Sequence, residues 1–491
     1  MTEPPLSSLE NRAIHGLFWS GIERLGPQAV QFIVSIVLAR LLLPEQFGLI
    51  GMLTVFLALG AVFLNSGFGS ALIQKQDATE VHYSSVFYTN ILLSLVAAGV
   101  LCLVAPLIAR FYGEPMLTPL TRVLSLNSVL SAFGLIQVFL MTKRLDFKTQ
   151  TKASLIASLA AGVVGIAMAV LDFGVWSLVA QSVSLTLFNT LLLWAFDTWR
   201  PQKVFSLAAL RELFGFGSRL LASGLLDTVF SNVYNIVIGK LFSPAALGYY
   251  TRAYTLQQLP SQTLGGIVAR VTFPLFAEIQ GDPARVRNGF RKALRALALV
   301  NFPLMIGLLV CARPLVLTLL TEKWAPAIPY LQLLCIVGLL YPLHLINLNV
   351  LLAMGRSDLF FRLEVIKKVL LVIVLAVTWQ WGIEAIIAGQ IVLSLVAYYL
   401  NSYYNGRIVG YGIGAQVRDV LPYLGAAGAT GGGAFALTWL PLAQPGVLLL
   451  MQVVGGGLIY GLLCRSFRLP VFMDAWRIFE GKIGALRMAQ P

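Results

Sequence analysis

Charge is scarce in this sequence. Only 11% of its 491 residues are Asp, Glu, Lys or Arg, against about 25% in an ordinary soluble domain. With 58% hydrophobic residues and a mean hydropathy of +0.82, a soluble globular chain is excluded. Histidine and cysteine are scarcer still. The four cysteines, Cys102, Cys311, Cys335 and Cys464, lie in or beside apolar segments without metal-ligand spacing, and read as small core residues. The three histidines are scattered. No phosphate-binding loop G-x-x-x-x-G-K-[ST], no Asp-x-Asp pair and no G-x-S-x-G elbow is present. No catalytic residue, metal or cofactor is therefore assigned. A short apolar core is missing from Met1 to Leu17, which instead carries Glu3, Glu10, Arg12 and His15, so this stretch does not read as a cleavable signal peptide.

What the chain has in abundance is apolar runs of membrane-crossing length. About fourteen runs of roughly 20 residues are separated by polar or Pro/Gly breaks, including 15–41, 216–242, 248–278 and 360–380. The fold class is thus an all-α polytopic membrane protein. An even number of crossings places both termini on one side, and the basic residues say which. Most of the 35 Lys and Arg fall in the termini and the even-numbered connections. Examples are Lys143, Arg144, Lys148 and Lys152, then Arg200, Lys203 and Arg211, then Arg285, Arg287, Arg291, Lys292 and Arg295. Positive residues favour the cytoplasm, so both termini are expected there. The net charge of +14 then reflects topology and headgroup contact, and no nucleic-acid motif accompanies it.

The sequence is also doubled. IVLARLLLPEQFGLI from Ile36 to Ile50 returns as IVIGKLFSPAALGYY from Ile236 to Tyr250, with Ile36/Ile236, Val37/Val237, Leu41/Leu241, Pro44/Pro244 and Gly48/Gly248 identical. Fainter echoes follow: Arg144-x-Asp146 and Arg356-x-Asp358, then Gly174 and Gly382, which open the sixth and twelfth expected helices. Six crossings return the chain to its starting side, so the copies are parallel repeats related by an axis along the membrane normal. The expected organisation is two pseudo-symmetric six-helix lobes, 1–200 and 216–408, joined by a cytoplasmic linker at 201–215. Two appended helices cover 409–466, and a cytoplasmic amphipathic tail covers 467–491. Ser206 to Phe214 is expected to form a short surface helix, and Asp282-Pro283 to begin another.

Polar residues share one face of the helix entering each hairpin: Ser20, Glu23, Arg24, Gln28, Gln31 and Ser35 in the first copy, Ser223, Asp227, Ser231 and Asn235 in the second. Either they hydrogen-bond neighbouring helices or they line a water-filled pathway. The second reading is favoured because ionisable groups at membrane depth are costly and usually functional. Other charges at that depth are Arg270, Lys367, Lys368, Glu278 and Glu364. Glu364 can pair with Lys367 or Lys368 along one helix face, so a structural ion pair and a functional site both remain open there. His344 reads as a satisfied interior histidine ahead of a proton carrier. A basic cavity with little compensating acid suits a phosphate-bearing solute.

The segments ARLLLPEQFGLIGM, SGFGSALIQ (Ser66 to Gln74) and LGYYTRAYTLQQLP (Leu247 to Pro260) resemble the polysaccharide transporter family. These are the Wzx-type flippases of lipid-linked oligosaccharides, within the multidrug/oligosaccharidyl-lipid/polysaccharide superfamily. The resemblance covers most of the chain. It implies a bacterial inner-membrane protein with two six-helix lobes around a central cavity. Its substrate would be a polyprenyl-diphosphate-linked oligosaccharide, moved to the periplasmic leaflet by alternating access for exopolysaccharide or surface polysaccharide synthesis. Implied partners are membrane lipids and the polymerase and glycosyltransferases of the same pathway. Relatives that flip the peptidoglycan precursor carry arginines on helices one and eight of a cationic cavity, where Arg24 and Arg270 stand here. The expected substrate-binding set is Arg24, Arg270, Lys367, Gln31 and Asn235; Asp227, on the polar stripe of the second copy, is read either as an ion-coupling group or as a structural acid. The alternatives are a multidrug or cation antiporter of the same superfamily, which calls for an acidic cavity, and a membrane-embedded polymerase or ligase. No gap between helices is long enough for the catalytic domain that the latter would need.

Overall fold

The computed structural model describes residues 26–64, 68–75, 77–144, 146–440, 444–474, 476–477 and 480. Among these the chain is helical, with no strand. It divides into two compact units, the first ending at Gly248 and the second beginning at Tyr249. The first holds α1 (Gly26–Leu41), α2 (Pro44–Leu64), α3 (Phe68–Gln74), α4 (Glu80–Tyr112), α5 (Leu117–Leu124), α6 (Leu126–Lys143), α7 (Phe147–Val170) and α8 (Val175–Phe196). It closes with α9 (Leu207–Ser231), α10 (Val233–Leu241) and the start of α11 (Pro244–Glu278). The second unit continues α11 and adds α12 (Pro283–Val310), α13 (Ala312–Leu319), α14 (Ala327–Ala353), α15 (Ser357–Thr378), α16 (Ile383–Ile408), α17 (Ile413–Ala436) and α18 (Pro445–Ser466).

Ten helices among the described residues are long and apolar enough to cross a membrane. Their outward faces are those of a protein dissolved in lipid. On α18 Leu450, Val454, Leu458 and Leu462, four residues apart, are all more than half exposed, and on α4 Leu103 is 80% exposed. Such apolar stripes have no place against water. The four expected spans outside the ten are 15–41, 216–242, 248–278 and 360–380, and each has a physical reason. The first is described only from Gly26. The second breaks at Asn232 between α9 and α10 and carries Arg219 and Asp227. The third, within α11, carries Arg252, three glutamines and Arg270, and the fourth, α15, carries Arg362, Glu364, Lys367 and Lys368. Apart from Asn232 and Phe242, all four are helical wherever they are described.

Local chemistry sets the helix starts. Asp146 accepts the Thr149 amide at the start of α7 (3.1 Å), and Asp282 accepts the Ala284 and Arg285 amides ahead of Pro283. Gly174 and Gly382, the matched openers of α8 and α16, have φ of 58° and 93°, which a side chain would strain. Ser206 caps α9 by accepting the Ala209 amide, but that helix does not stop near Phe214; it runs on to Ser231. Likewise the helix begun at Asp282 is no separate surface piece and continues to Val310.

Residues ahead of α9 are strapped to the start of α4. The Trp199 indole donates to Glu80 Oε2 (2.8 Å), and the Gln202 and Ser206 amides donate to the Ser84 and Ser85 hydroxyls (3.0 and 2.9 Å). At this same end Glu212 meets Lys75 (3.0 Å) and His82 (3.4 Å). Lys75 foremost, with His82, holds the Glu212 carboxyl below its usual range, and Glu212 in turn raises the Lys75 ammonium.

At the hairpins the two copies of the repeat touch each other. A Cβ on Gly48 would lie 1.7 Å from the Pro244 carbonyl oxygen, and one on Gly248 would lie 2.0 Å from the Pro44 carbonyl oxygen. Each glycine therefore lets its helix approach the other hairpin's proline turn. The contact is self-complementary, residue i on j and j on i, as a local twofold axis requires. Lys240 closes the same region by donating to the Phe111 carbonyl and lying 4.9 Å over the Phe111 ring.

Candidate functional site

In the first unit α1, α6, α7 and α8 surround a cavity of about 340 Å³. Its polar lining comes from Gln31, Ser131, Ser154, Ser158, Thr186, Asn189 and Thr190, with no charged side chain among the lining residues. The spacing explains the arrangement. Ser154 and Ser158 are four apart on α7, and Thr186 and Asn189 are three apart on α8, so each pair shares a face. Gln31 Nε2 donates to Ser158 Oγ (3.4 Å), and Ser154 Oγ donates to Asn189 Oδ1 (3.3 Å). Farther along the same helices Asn127 Nδ2 donates to Ser182 Oγ (2.9 Å). Hydroxyls and amides both donate and accept, so this surface can exchange its internal bonds for those of a neutral, hydroxyl-bearing solute.

The expected site residues are not gathered at one place. Gln31 lines the cavity. Asn235 is half-buried on α10 and Asp227 exposed on α9, and neither is among the lining residues. Arg24 lies outside the described residues; Arg270 is on α11, and its side chain lies outside them too. In the second unit Lys367 donates to Glu364 one turn away, so the ion pair that the spacing allows is formed. His344 is half-buried, with Nε2 against Ser394 Oγ (3.0 Å) and Nδ1 against the Asn401 amide (3.4 Å), so both ring nitrogens are satisfied within the helix bundle. Among the described residues no group of three His, Cys, Asp or Glu is placed to hold a metal ion.

Two polar assemblies escaped the sequence reading. One is the α6–α7–α8 lining above, whose signal was the three- and four-residue spacing of Ser, Thr and Asn. The other is a buried amide cluster in the second unit. Gln416 Oε1 accepts from Asn347, Tyr398 and Ser402 (3.1, 3.0 and 3.2 Å), and Asn405 Nδ2 donates to Asn347 Oδ1 (2.8 Å). It joins the neighbouring helices α16 and α17 to α14, whose Asn347 lies 58 and 69 residues from Asn405 and Gln416, and nothing local announces that link.

The family described as "Polysaccharide biosynthesis protein" matches residues 37–329, more than half of the chain. The teichuronic acid biosynthesis protein TuaB of Bacillus subtilis is 30% identical over 93% of this chain and 95% of its own length. The chain belongs to the polysaccharide biosynthesis protein family. Another relative of this family member is the lipopolysaccharide biosynthesis protein WzxC of Escherichia coli, 30% identical over 80% of this chain and 81% of its own. Among solved structures, the lipid II flippase MurJ in an inward closed conformation matches with a TM-score of 0.74 at 13% identity, covering 91% of this chain and 98% of that one. An inward-facing multidrug resistance MATE transporter matches at 0.61 and 15% identity, covering 79% and 98%. Likeness at such identities concerns the fold, which this family member shares with both.

Proposed function

We propose that this protein is a flippase for a polyprenyl-diphosphate-linked oligosaccharide, carrying the head group from the cytoplasmic to the periplasmic leaflet of a bacterial inner membrane. The observation that carries the proposal is the end-to-end relationship to a teichuronic acid biosynthesis protein, 93% of this chain against 95% of that one. A further relative is named as a succinoglycan biosynthesis transport protein. The uncharged polar cavity suits sugar hydroxyls, and the expected arginine pair would hold the diphosphate. In this scheme both termini are cytoplasmic, two six-helix lobes alternate access, and the prenyl tail stays in lipid. An inside-negative potential favours the outward step of an anion by about 2.3 kcal/mol per charge per 100 mV. Arg24 and Arg270 each supply one half of an anion clamp, supported by Lys367, Gln31 and Asn235, and Asp227 couples transport to a cation or proton. The pathway's polymerase and glycosyltransferases would hand substrate on either side.

The test is transport of a lipid-linked oligosaccharide in vesicles, read by the access of a membrane-impermeant glycosidase. Arg→Lys at positions 24 and 270 keeps charge but loses the planar fork, so it should slow transport, and Arg→Ala should nearly abolish it. A well-expressed double alanine variant that flips at the wild-type rate would sink the clamp. An Asp227→Asn variant that still responds to proton and sodium gradients as wild type does would remove the coupling role. No flipping by the wild-type protein would overturn the function itself.

A further inference from the structure

A second pocket, outside the transport reading, lies where α12 and α17 begin. It holds about 490 Å³, and its polar lining is Arg287, Asn288, Arg291, Tyr411, Arg418 and Asp419. Asp419 is nearly inaccessible and saturated with donors. Arg291 grips it with two nitrogens (Nη2 to Oδ1, 2.8 Å), Arg295 Nη2 reaches Oδ1 (2.6 Å), and the Tyr411 hydroxyl donates to Oδ2 (2.7 Å). This one carboxylate is therefore spent on orienting two arginines. Arg287 and Arg418 are exposed, and no carboxylate lies within ion-pair distance of either among the described residues. The local balance is four guanidinium groups to one carboxylate.

What adjoins the pocket narrows the choice of anion. Val417, Leu421 and Leu424 follow at four- and three-residue steps on one outward face of α17, exposed by 42, 56 and 36%. Val417 is the chain neighbour of Arg418. A cationic pocket thus sits at the head of an exposed apolar strip that a hydrocarbon chain can cover.

We infer that this pocket binds the phosphate of an anionic membrane lipid, with Arg287 and Arg418 on its oxygens and its chain along α17. Guanidinium forks match phosphate oxygens, and basic pockets between membrane helices take lipid head groups. A zwitterionic lipid brings a cation that the surplus arginines repel. Two lipids share the required chemistry, a phospholipid phosphodiester and a polyprenyl phosphate.

Native mass spectrometry of the full chain in neutral detergent tests the inference. Phosphatidylglycerol, phosphatidylcholine and polyprenyl phosphate are titrated separately against the wild type and the Arg287→Gln/Arg418→Gln variant. Both side chains lack an acidic partner, so the variant should fold. An anionic lipid should bind wild type more tightly than phosphatidylcholine does and lose about tenfold in affinity in the variant, as the loss of about 1.4 kcal/mol of charge-assisted contact implies. Arg418→Lys alone should lose less. Loss for phosphatidylglycerol alone identifies a resident phospholipid, and loss for polyprenyl phosphate alone identifies the carrier lipid. Equal binding of all three lipids, an unaffected double variant, or displacement of either lipid by inorganic phosphate at the same concentration would overturn the inference.

Discussion

The reciprocal glycine contact makes a quantitative prediction. In Gly48→Ala the new methyl would start 1.7 Å from the Pro244 carbonyl oxygen, more than an ångström inside any tolerable approach. That oxygen is backbone and cannot swing aside, so the hairpins must separate or bend. Overpacking of this kind costs about 1–3 kcal/mol, which is about a 5- to 150-fold shift against the apposed state. Gly248→Ala should cost about the same, since its methyl would start 2.0 Å from the Pro44 oxygen. Because one separation relieves both clashes, the double variant should cost less than the sum of the singles, as expected of coupled neighbours. Apposition can be read by cross-linking Glu45→Cys to Ala245→Cys in a background lacking the four native cysteines. Gly99→Ala, whose methyl meets nothing within 4 Å, is the control. Cross-linking of Gly48→Ala at the control yield would refute the reasoning, as would strictly additive losses in the double variant.

Two further outcomes are expected. Asn347→Ala removes a donor to Gln416 and an acceptor for Asn405 within the buried amide cluster, and should destabilise the protein by about 2–4 kcal/mol; thermal unfolding in detergent checks this, and a shift no larger than that of an exposed α18 substitution would contradict it. Glu212 has its folded pKa lowered from 4.5 by Lys75 and His82, so its contribution is present above that value and is lost as pH falls through the lower folded value. Glu212→Gln should therefore flatten the acid side of the melting curve, and an unchanged profile would show the cluster to be idle.

The hairpins were legible in sequence because Pro44/Pro244 and Gly48/Gly248 are identical at one fixed offset. What that identity could not reveal is that the turns meet, since contact between residues 200 positions apart leaves no local mark. The charge-bearing helices were legible too. The four expected spans outside the ten apolar crossings are those that carry Arg24, Asp227, Arg270 and Lys367, because the charges that marked them also lower their apolarity. Boundaries set by capping, at Ser206 and Asp282, were readable, whereas the continuation of α9 past Phe214 was not, because Gly215 and Gly217 weaken a helix locally and yet lie within this one. The Asp419 cluster was invisible for the opposite reason. Arg291 and Arg295 looked like ordinary topology charges, and only folding delivers the carboxylate 124 and 128 residues away.

The self-facing hairpins bear on how a doubled sequence can change. Most positions in each copy have surroundings of their own, so nothing sterically ties a residue in one to its counterpart in the other. A glycine pressed against its twin's proline turn is different, because a methyl added to either copy collides with the other. Its tolerance is set jointly, so neither copy can change alone. The stretch from Ile36 to Ile50 and its likeness from Ile236 through Tyr250 are thus tied by one shared steric limit, and a substitution in either has to be judged against both.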